Sequence, residues 1–355
     1  MITRQKALLR AATAAVALAL TMSACGGSSD GSSGDGGKAA DIPTGTDPQP
    51  LKERTTVTVS TDGTEPYAPF WVGEAMGEFE KENIDLKIEK IPATQALQAV
   101  LTGAADIVTP SPAGLFNAIN DGGKLRIVSS VYDPDKNTGF YLSPKVLAKK
   151  PDFGPCDMKG LKVTVGPGST IAAAAALPMK NYLAECDLTL KDIELTSLFG
   201  PDGLAALDSG ALDVGVQYGV LGARAADLGA KNIVPFPSDF QFAPWVFGPD
   251  LMDKPEVATA VLRAMIRTVR THLQGSYHDN PDVLKVLAKY EGMPEAQIAD
   301  LPELTFNPDL AFDPEQLVVE LQKVWLDYGK ILSYDKPLTV DQVTDFSFLD
   351  RVVAK

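Results

Sequence analysis

The chain has 355 residues, 45% of them hydrophobic, and a net charge of −14 from 32 basic and 46 acidic side chains. This length allows two lobes of ordinary domain size, and the acidic balance argues against binding to nucleic acid or to an anionic membrane surface. Histidine occurs only at His272 and His278, which argues against a metal site or a histidine-based catalytic centre, because histidine is the usual zinc ligand and general base near neutral pH.

The N-terminal segment has the pattern of a secretory signal. A basic start without acidic residues precedes residues 11–22, which are nearly all apolar but too few to span a bilayer, which needs about 20 residues. The small residues before Cys25 resemble the lipobox of bacterial lipoproteins, although leucine is usual where Met22 stands. The resemblance implies that residues 1–24 are a lipoprotein signal peptide and that Cys25 carries the lipid. The alternative is an ordinary signal with an unrelated cysteine.

Residues 25–50 are rich in Gly, Ser, Asp and Pro. Such a stretch buries little apolar surface, so we expect a flexible tether. A lipid anchor on a tether suits a globular body that delivers something to a partner in the membrane. Without the first 24 residues, 29 basic side chains face 46 acidic ones, for a net charge of −17.

From residue 55, short apolar strands alternate with helices. The first part of this alternation predicts strands at 56–60, 85–91, 106–109 and 125–131, and helices at 69–83, 94–102 and 112–120. The second part predicts strands at 161–165, 193–197, 213–217 and 233–236, and helices at 171–185 and near 204–207. Beyond residue 244, amphipathic patterns predict helices at about 255–274, 281–290 and 314–330. Repeated strand–helix–strand units indicate an α/β fold with mainly parallel sheets flanked by helices.

The pause in the alternation near Tyr132 divides the body into two lobes. We expect lobe I to comprise residues 51–132 and 244–355, with the C-terminal helices on it, and lobe II to comprise residues 133–243. The chain then crosses between the lobes near Tyr132 and near Phe242. Two crossings form a hinge, and hinge closure around a ligand is a known behaviour of paired lobes.

Three segments together resemble a known family of transport proteins. They are Tyr-Ala-Pro-Phe-Trp-Val-Gly-Glu-Ala-Met-Gly-Glu-Phe at 67–79, the segment 93–108 with its Gly-Ala-Ala-Asp, and Leu-Lys-Val-Thr-Val-Gly-Pro-Gly-Ser-Thr at 161–170. They are similar to the substrate-binding proteins of ABC importers for nitrate, sulfonates, taurine and thiamine pyrimidines, over residues 55–330. The resemblance implies a two-lobed periplasmic-binding-protein fold of type II that holds a small solute in its cleft without a cofactor. It also implies a monomer outside the cytoplasm, with an ABC permease and its ATPase as partners.

Ligands of open α/β sheets bind at the carboxyl ends of the strands. This rule points to the turn that contains Gly168, Ser169 and Thr170, which joins a strand to a helix and can present backbone N–H groups and hydroxyls to a ligand. It also points to Ser111 in the matching turn of lobe I. Both turns can equally be plain helix caps.

Aromatic residues follow several of the predicted strands. Tyr67 and Trp71 come after the first strand, Tyr132 and Tyr218 each directly follow a strand, and Trp245 follows the second crossing. Their rings can form the walls of a ligand cleft or pack in the core. None of these turns carries Lys or Arg, which favours an organic solute with a flat or apolar part over bare nitrate.

Two other functions remain open. One is an enzyme on the same scaffold, since pyrimidine-synthesising relatives of the family exist, and the other is a structural surface lipoprotein. Neither His272 nor His278 lies in a predicted cleft loop, and the sequence has no nucleophile elbow, zinc-protease motif or Walker loop. Solute binding is therefore the favoured function.

Cys156 and Cys186 are the two cysteines left if Cys25 carries a lipid. A secreted chain is oxidised, so an even pair is a candidate disulfide. Cys156 precedes the strand 161–165 and Cys186 ends the helix that returns beside it, which brings the two residues near each other. The alternative is a pair of buried thiols.

Overall fold

The computed structural model describes residues 49–353, so the predicted signal peptide, Cys25 and nearly all of the predicted tether lie outside the described residues. The strands are β1 Thr55–Thr61, β2 Ile84–Lys90, β3 Ile107–Val108, β4 Arg126–Ser130, β5 Gly139–Leu142, β6 Lys162–Thr164, β7 Glu194–Thr196, β8 Val214–Gln217, β9 Lys231–Pro235 and β10 Pro244–Phe247. The helices are α1 Ala68–Ala75, α2 Ala96–Leu101, α3 Pro112–Asn120, α4 Pro144–Lys149, α5 Thr170–Ala174, α6 Ala176–Ala184, α7 Gly200–Ser209, α8 Gly219–Asp227, α9 Pro249–Met252, α10 Pro255–His272, α11 Pro281–Glu291, α12 Glu295–Ala299, α13 Leu321–Tyr328, α14 Val340–Val343 and α15 Ser347–Val353.

The strands form two five-stranded sheets that share one strand order. The first sheet runs β2-β1-β3-β10-β4 and the second runs β7-β6-β8-β5-β9. Each sheet contains one strand that is antiparallel to both of its neighbours, β10 in the first and β5 in the second. The chain enters each of these strands directly after leaving the other sheet, from β4 into β5 and from β9 into β10. The predicted fold class, two mainly parallel sheets flanked by helices, is confirmed.

The strands β5 and β10 are missing from the sequence-based prediction. Each has four residues, all of them buried, so neither shows the alternation of apolar and polar residues by which a half-buried strand is recognised. β10 also begins with Pro244, a residue that predicts a loop more often than a strand. Both strands lie just beyond the predicted crossings near Tyr132 and near Phe242, in segments where the sequence predicted no strand.

The predicted helix 69–83 is wrong in its second half. The helix α1 ends at Ala75, and Gly77 has a φ of 71°, a left-handed conformation that glycine adopts without steric cost and that ends a helix. The turn beyond it carries Glu78 and Glu82 to α10, where Arg267 Nε donates to Glu78 at 3.0 Å and Arg263 Nε donates to Glu82 at 2.9 Å. Burial alone would raise the pKa of both carboxyl groups, but hydrogen bonds outweigh it and lower the pKa of each. For Glu78 these come from Lys81 first and then from Arg267, and for Glu82 they come from Arg263 and Arg267.

The long C-terminal helices pack on more than one part of the body. The helix α10 starts with Pro255, whose fixed φ suits a first helical position, and its apolar face packs against α1 and α15. A turn of π-helix at Glu315–Glu320 leads into α13, which packs against α6 in the layer of the second sheet. The C-terminal region thus contacts helices beside both sheets.

The predicted disulfide between Cys156 and Cys186 is present. The two Cα atoms are 5.1 Å apart, within the usual span of a disulfide, and the bridge ties the end of α6 to the segment before β6. Within residues 49–353, none of the helices combines the length and the apolar character that crossing a bilayer requires.

Candidate functional site

A cavity of about 70 Å³ lies between the two sheets, where the carboxyl ends of their strands face each other. This volume is several times the roughly 10–15 Å³ that one water molecule requires on the same measure. The first sheet and its connections supply Asp62, Thr64, Pro66, Tyr67, Thr109, Val131, Tyr132, Phe242 and Ala243 to the wall, and the second supplies Ser169, Thr170, Ile171, Phe199 and Tyr218. The position agrees with the rule that ligands of open α/β sheets bind at strand carboxyl ends.

Three tyrosines form much of the wall, each held by a different local structure. Tyr67 directly precedes α1, and its ring packs edge-on against Trp245 with centroids 5.3 Å apart. Tyr132 follows β4 and packs edge-on against Phe242 at 5.3 Å. Tyr218 occupies the N-cap position of α8 in an extended conformation. Because edge-to-face pairs have defined geometry, the first two rings are held in place by the core behind them.

The tyrosine hydroxyls are neutral at physiological pH. Burial, with a smaller contribution from the negative charge of Asp62, raises the pKa of Tyr218 to about 12. Burial likewise raises the pKa of Tyr67 and of Tyr132 above the ordinary tyrosine value. A neutral phenol can donate one hydrogen bond and accept others, so these three groups offer both kinds of partner to a ligand.

Hydroxyl groups of serine and threonine complete the polar part of the wall. Ser169 Oγ accepts a hydrogen bond from the backbone N–H of Ala172 at 3.2 Å and so caps α5, which leaves its own proton free to donate. Thr109 is 8% exposed, and its Oγ1 has no hydrogen-bond partner among the described residues. A buried hydroxyl without a partner is energetically costly, which makes Thr109 Oγ1 a natural contact for a bound molecule.

Two side-chain hydrogen bonds connect the two sides of the cleft. Ser111 Oγ, from the turn before α3, donates to the carbonyl oxygen of Pro167 at 2.8 Å. Thr170 Oγ1, at the start of α5, donates to the carbonyl oxygen of Thr109 at 3.2 Å. These bonds hold the two strand–helix turns against each other at the edge of the cavity.

Among the described residues of the cavity wall, Asp62 is the one with a charged side chain. It follows β1 and is partly exposed. Its Oδ1 atom accepts hydrogen bonds from Thr64, at 3.0 Å from the backbone N–H and 2.6 Å from the hydroxyl. The carboxylate is therefore fixed by its own turn at the mouth of the cavity.

A buried cluster lies directly behind the segment 62–67. Glu65 points away from the cavity and accepts hydrogen bonds from Tyr277 Oη at 2.5 Å and from His278 Nε2 at 2.8 Å. Burial tends to lower the pKa of His278, but its hydrogen bond and attraction to Glu65 outweigh this and raise it. Burial, followed by the negative charge of Glu65, raises the pKa of Glu291 to about 7.

The structure places the nine predicted ligand-binding residues in three kinds of position. Tyr67, Tyr132, Ser169, Thr170 and Tyr218 line the cavity. Ser111 joins the two sides of the cleft without lining the cavity, and Gly168 lies exposed in its turn against Ser197. Trp71 and Trp245 are fully buried in the core, where Trp71 stacks on Tyr290 with centroids 4.9 Å apart and Trp245 supports Tyr67.

Several wall residues were not predicted. Asp62 and Thr109 each follow a strand, so the strand-end rule already contained the signal that identifies them. Phe199 and Phe242 lie in loops. Which residues they meet across the cleft depends on how the two sheets face each other, and no local sequence pattern reveals this. Among the residues that the structure describes, no group of three or more His, Cys, Asp or Glu side chains is arranged to hold a metal ion.

Solved structures with this fold include binding proteins and an enzyme, all at low sequence identity. The periplasmic nitrate-binding protein NrtA from Synechocystis PCC 6803 matches with a TM-score of 0.65 at 15% identity, over 84% of this chain and 88% of that protein. The alkanesulfonate-binding protein SsuA from Xanthomonas axonopodis pv. citri, bound to MOPS, matches with a TM-score of 0.58 at 17% identity, over 82% and 99%. The desulfurization enzyme DSZB, as a cysteine-to-serine variant with biphenyl-2-sulfinic acid, matches with a TM-score of 0.55 at 15% identity, over 86% and 99%.

No protein-family model matches the chain, and no curated protein matches it. The structural neighbours are consistent with the resemblance to the nitrate and sulfonate binding proteins that the sequence suggested. At these identities they establish the fold.

Proposed function

We propose that this chain is the extracytoplasmic solute-binding component of an ABC importer and that it captures a small organic solute between its two sheets. The observation that carries the proposal is the cavity at the facing carboxyl ends of the strands, with aromatic rings and hydroxyls from both sides. A pocket with mainly apolar walls and a few directed polar groups is typical of small-molecule sites. The contacts we propose are Tyr67, Tyr132, Ser169, Thr170 and Tyr218.

Binding would be completed by closure of the cleft. The proposed halves are residues 51–132 with 244–355, and residues 133–243, and a solute that touches both walls stabilises the closed arrangement over the open one. The two hydrogen bonds across the cleft act in the same direction, since they form only when the strand–helix turns meet. Because α13 packs against α6, the proposed closing motion must keep these two helices in contact.

Delivery to a membrane permease requires the body to stay near the membrane. The sequence before residue 50 supplies this through a lipid on Cys25 and a flexible tether, and the neighbours named as periplasmic support a location outside the cytoplasm. Replacement of Cys25 by serine is expected to release the protein from the membrane fraction. A Cys25→Ser protein that stays with the membrane like the wild type would contradict lipid anchoring.

The composition of the cavity wall favours binding over catalysis. The wall described here contains no histidine and no cysteine, and Cys156 and Cys186 are joined in a disulfide. A general base works best with a pKa near the operating pH, whereas the tyrosines of the wall have a raised pKa. The competing function is an enzyme on the same scaffold, for which DSZB is the structural precedent.

A thermal-shift screen with small organic solutes tests the proposal. At a concentration 100 times the dissociation constant, a solute that binds only the folded chain adds about 2.7 kcal/mol of stability. Tyr218→Ala is expected to abolish this gain, because it removes one wall of the cavity. Tyr182→Ala, on α6 and outside the cavity, is the matched control and should keep it. Equal stabilisation of both variants by the same solute would place the binding site elsewhere.

A further inference from the structure

The formal charge of the cavity wall comes from Asp62. The other described wall residues are aromatic, aliphatic or hydroxyl-bearing, and none is Lys, Arg or His. Asp62 Oδ1 is occupied by Thr64, and in the described part of the chain Oδ2 has no hydrogen-bond partner. The cavity therefore offers a bound molecule one carboxylate oxygen that its own protein does not satisfy.

Lys90 lies beside the turn that follows Asp62. A Cβ atom added at Gly63 would lie 3.2 Å from Lys90 Nζ, yet within residues 49–353 no ion pair shorter than 4.0 Å joins Lys90 to Asp62. Lys90 sits at the end of β2 and does not line the cavity.

The charge of Asp62 decides which solute charge fits. A solute in the cavity displaces water from the part of Asp62 that lines it, and a carboxylate that loses water without gaining a partner is disfavoured. An anionic solute would add charge repulsion to this desolvation cost. A neutral solute would compensate for only a small part of the cost. A positively charged group of the solute supplies the missing partner.

The rest of the wall suits a cation as well. Five aromatic rings line the cavity, from Tyr67, Tyr132, Phe199, Tyr218 and Phe242. The faces of aromatic rings attract ammonium groups, and this attraction is strongest where water is excluded. The net charge of the whole chain, −14, also raises the local concentration of cations near the protein.

We infer that the solute is an organic cation whose charged nitrogen lies beside Asp62 and whose apolar or flat body lies against the aromatic wall. The inference rests on the proposed solute-binding function and adds the charge of the ligand. It sets this cavity apart from sites for nitrate or sulfonates, in which the ligand is an anion.

Three probes with the same benzyl body test the charge: benzyltrimethylammonium, benzyl alcohol and phenylmethanesulfonate. They are titrated by calorimetry at low salt into the wild type, into Asp62→Asn, and into Asp208→Asn, which removes an exposed charge at the far end of α7. A wider panel of organic cations, neutral solutes and anions is screened by thermal shift on the same three proteins. Asparagine can still accept the hydrogen bonds of Thr64, so the variant removes charge and keeps the turn.

Of the three probes, the cation is expected to bind most tightly. Asp62→Asn is expected to weaken the affinity for the cation at least about tenfold, or about 1.4 kcal/mol, while Asp208→Asn leaves that affinity unchanged. Tighter binding of anions than of cations, or cation binding that Asp62→Asn leaves intact, would overturn the inference and leave solute binding standing. If no member of the panel binds, the proposed function and this inference both fail.

Discussion

The hydrogen bond from Ser111 to Pro167 makes a quantitative test of cleft closure possible. Ser111 Oγ lies outside the cavity and joins the two sides of the cleft at 2.8 Å. A hydrogen bond of this kind contributes about 0.5–1.5 kcal/mol net, and in the proposed closure it forms only when the two strand–helix turns meet. Ser111→Ala is therefore expected to shift the balance between closed and open forms by about 1 kcal/mol, or about fivefold, and to weaken solute binding by up to the same factor.

Two measurements separate closure from a direct ligand contact. Calorimetry gives the affinity, and small-angle scattering of the ligand-free protein gives the radius of gyration, which should be larger for Ser111→Ala if the bond favours the closed form. Ser209→Ala is the control, because Ser209 Oγ donates within α7 to the carbonyl of Ala206 at 3.2 Å, away from the cleft. An affinity and a radius equal to those of the wild type would refute the role of this bond in closure.

Three further predictions concern stability. Replacing Cys156 and Cys186 by serine should cost up to about 3.6 kcal/mol in urea unfolding, from loss of a cross-link over 30 residues, and an unchanged midpoint would contradict it. Glu291→Gln should flatten the pH dependence of the unfolding free energy between pH 4.5 and about 7. In that range folded Glu291 keeps a proton that the unfolded chain releases, so the stability of the wild type falls as pH rises. An equally steep pH profile in the variant would refute this. Gly222→Ala should cost about 1–3 kcal/mol by overpacking, since its Cβ would meet the Asn137 carbonyl oxygen at 2.0 Å, and a thermal midpoint equal to that of the wild type would show that the loop gives way.

Much of the fold could be read from local patterns in the sequence. The eight predicted strands all correspond to strands of the two sheets, because alternating or apolar runs bounded by turns report directly on strand formation. The strands β5 and β10 could not be found in this way, since residues buried on both faces show no alternation. The helix at 69–83 was extended too far because the effect of Gly77 depends on a backbone conformation that composition alone does not reveal.

The candidate site was predictable only in part. Tyr67, Tyr132 and Tyr218 were identifiable because each lies beyond the end of a strand, and strand ends meet in this fold. Trp71 and Trp245 were expected at the cleft yet are buried in the core. Trp71 lies on the packed face of α1, and Trp245 lies within β10, a strand that the sequence did not reveal. The charge of the wall follows from which loops meet across the cleft, and only the assembled sheets show it.

The most direct test of solute binding is native mass spectrometry of the protein incubated with a mixture of small solutes, followed by identification of the released molecule. The account predicts one solute per chain, recovered with its mass unchanged after prolonged incubation, retained by Tyr182→Ala and lost from Tyr218→Ala. A new product that accumulates during incubation would show an enzyme. Equal retention by the two variants would show that the cavity between the sheets is not the binding site.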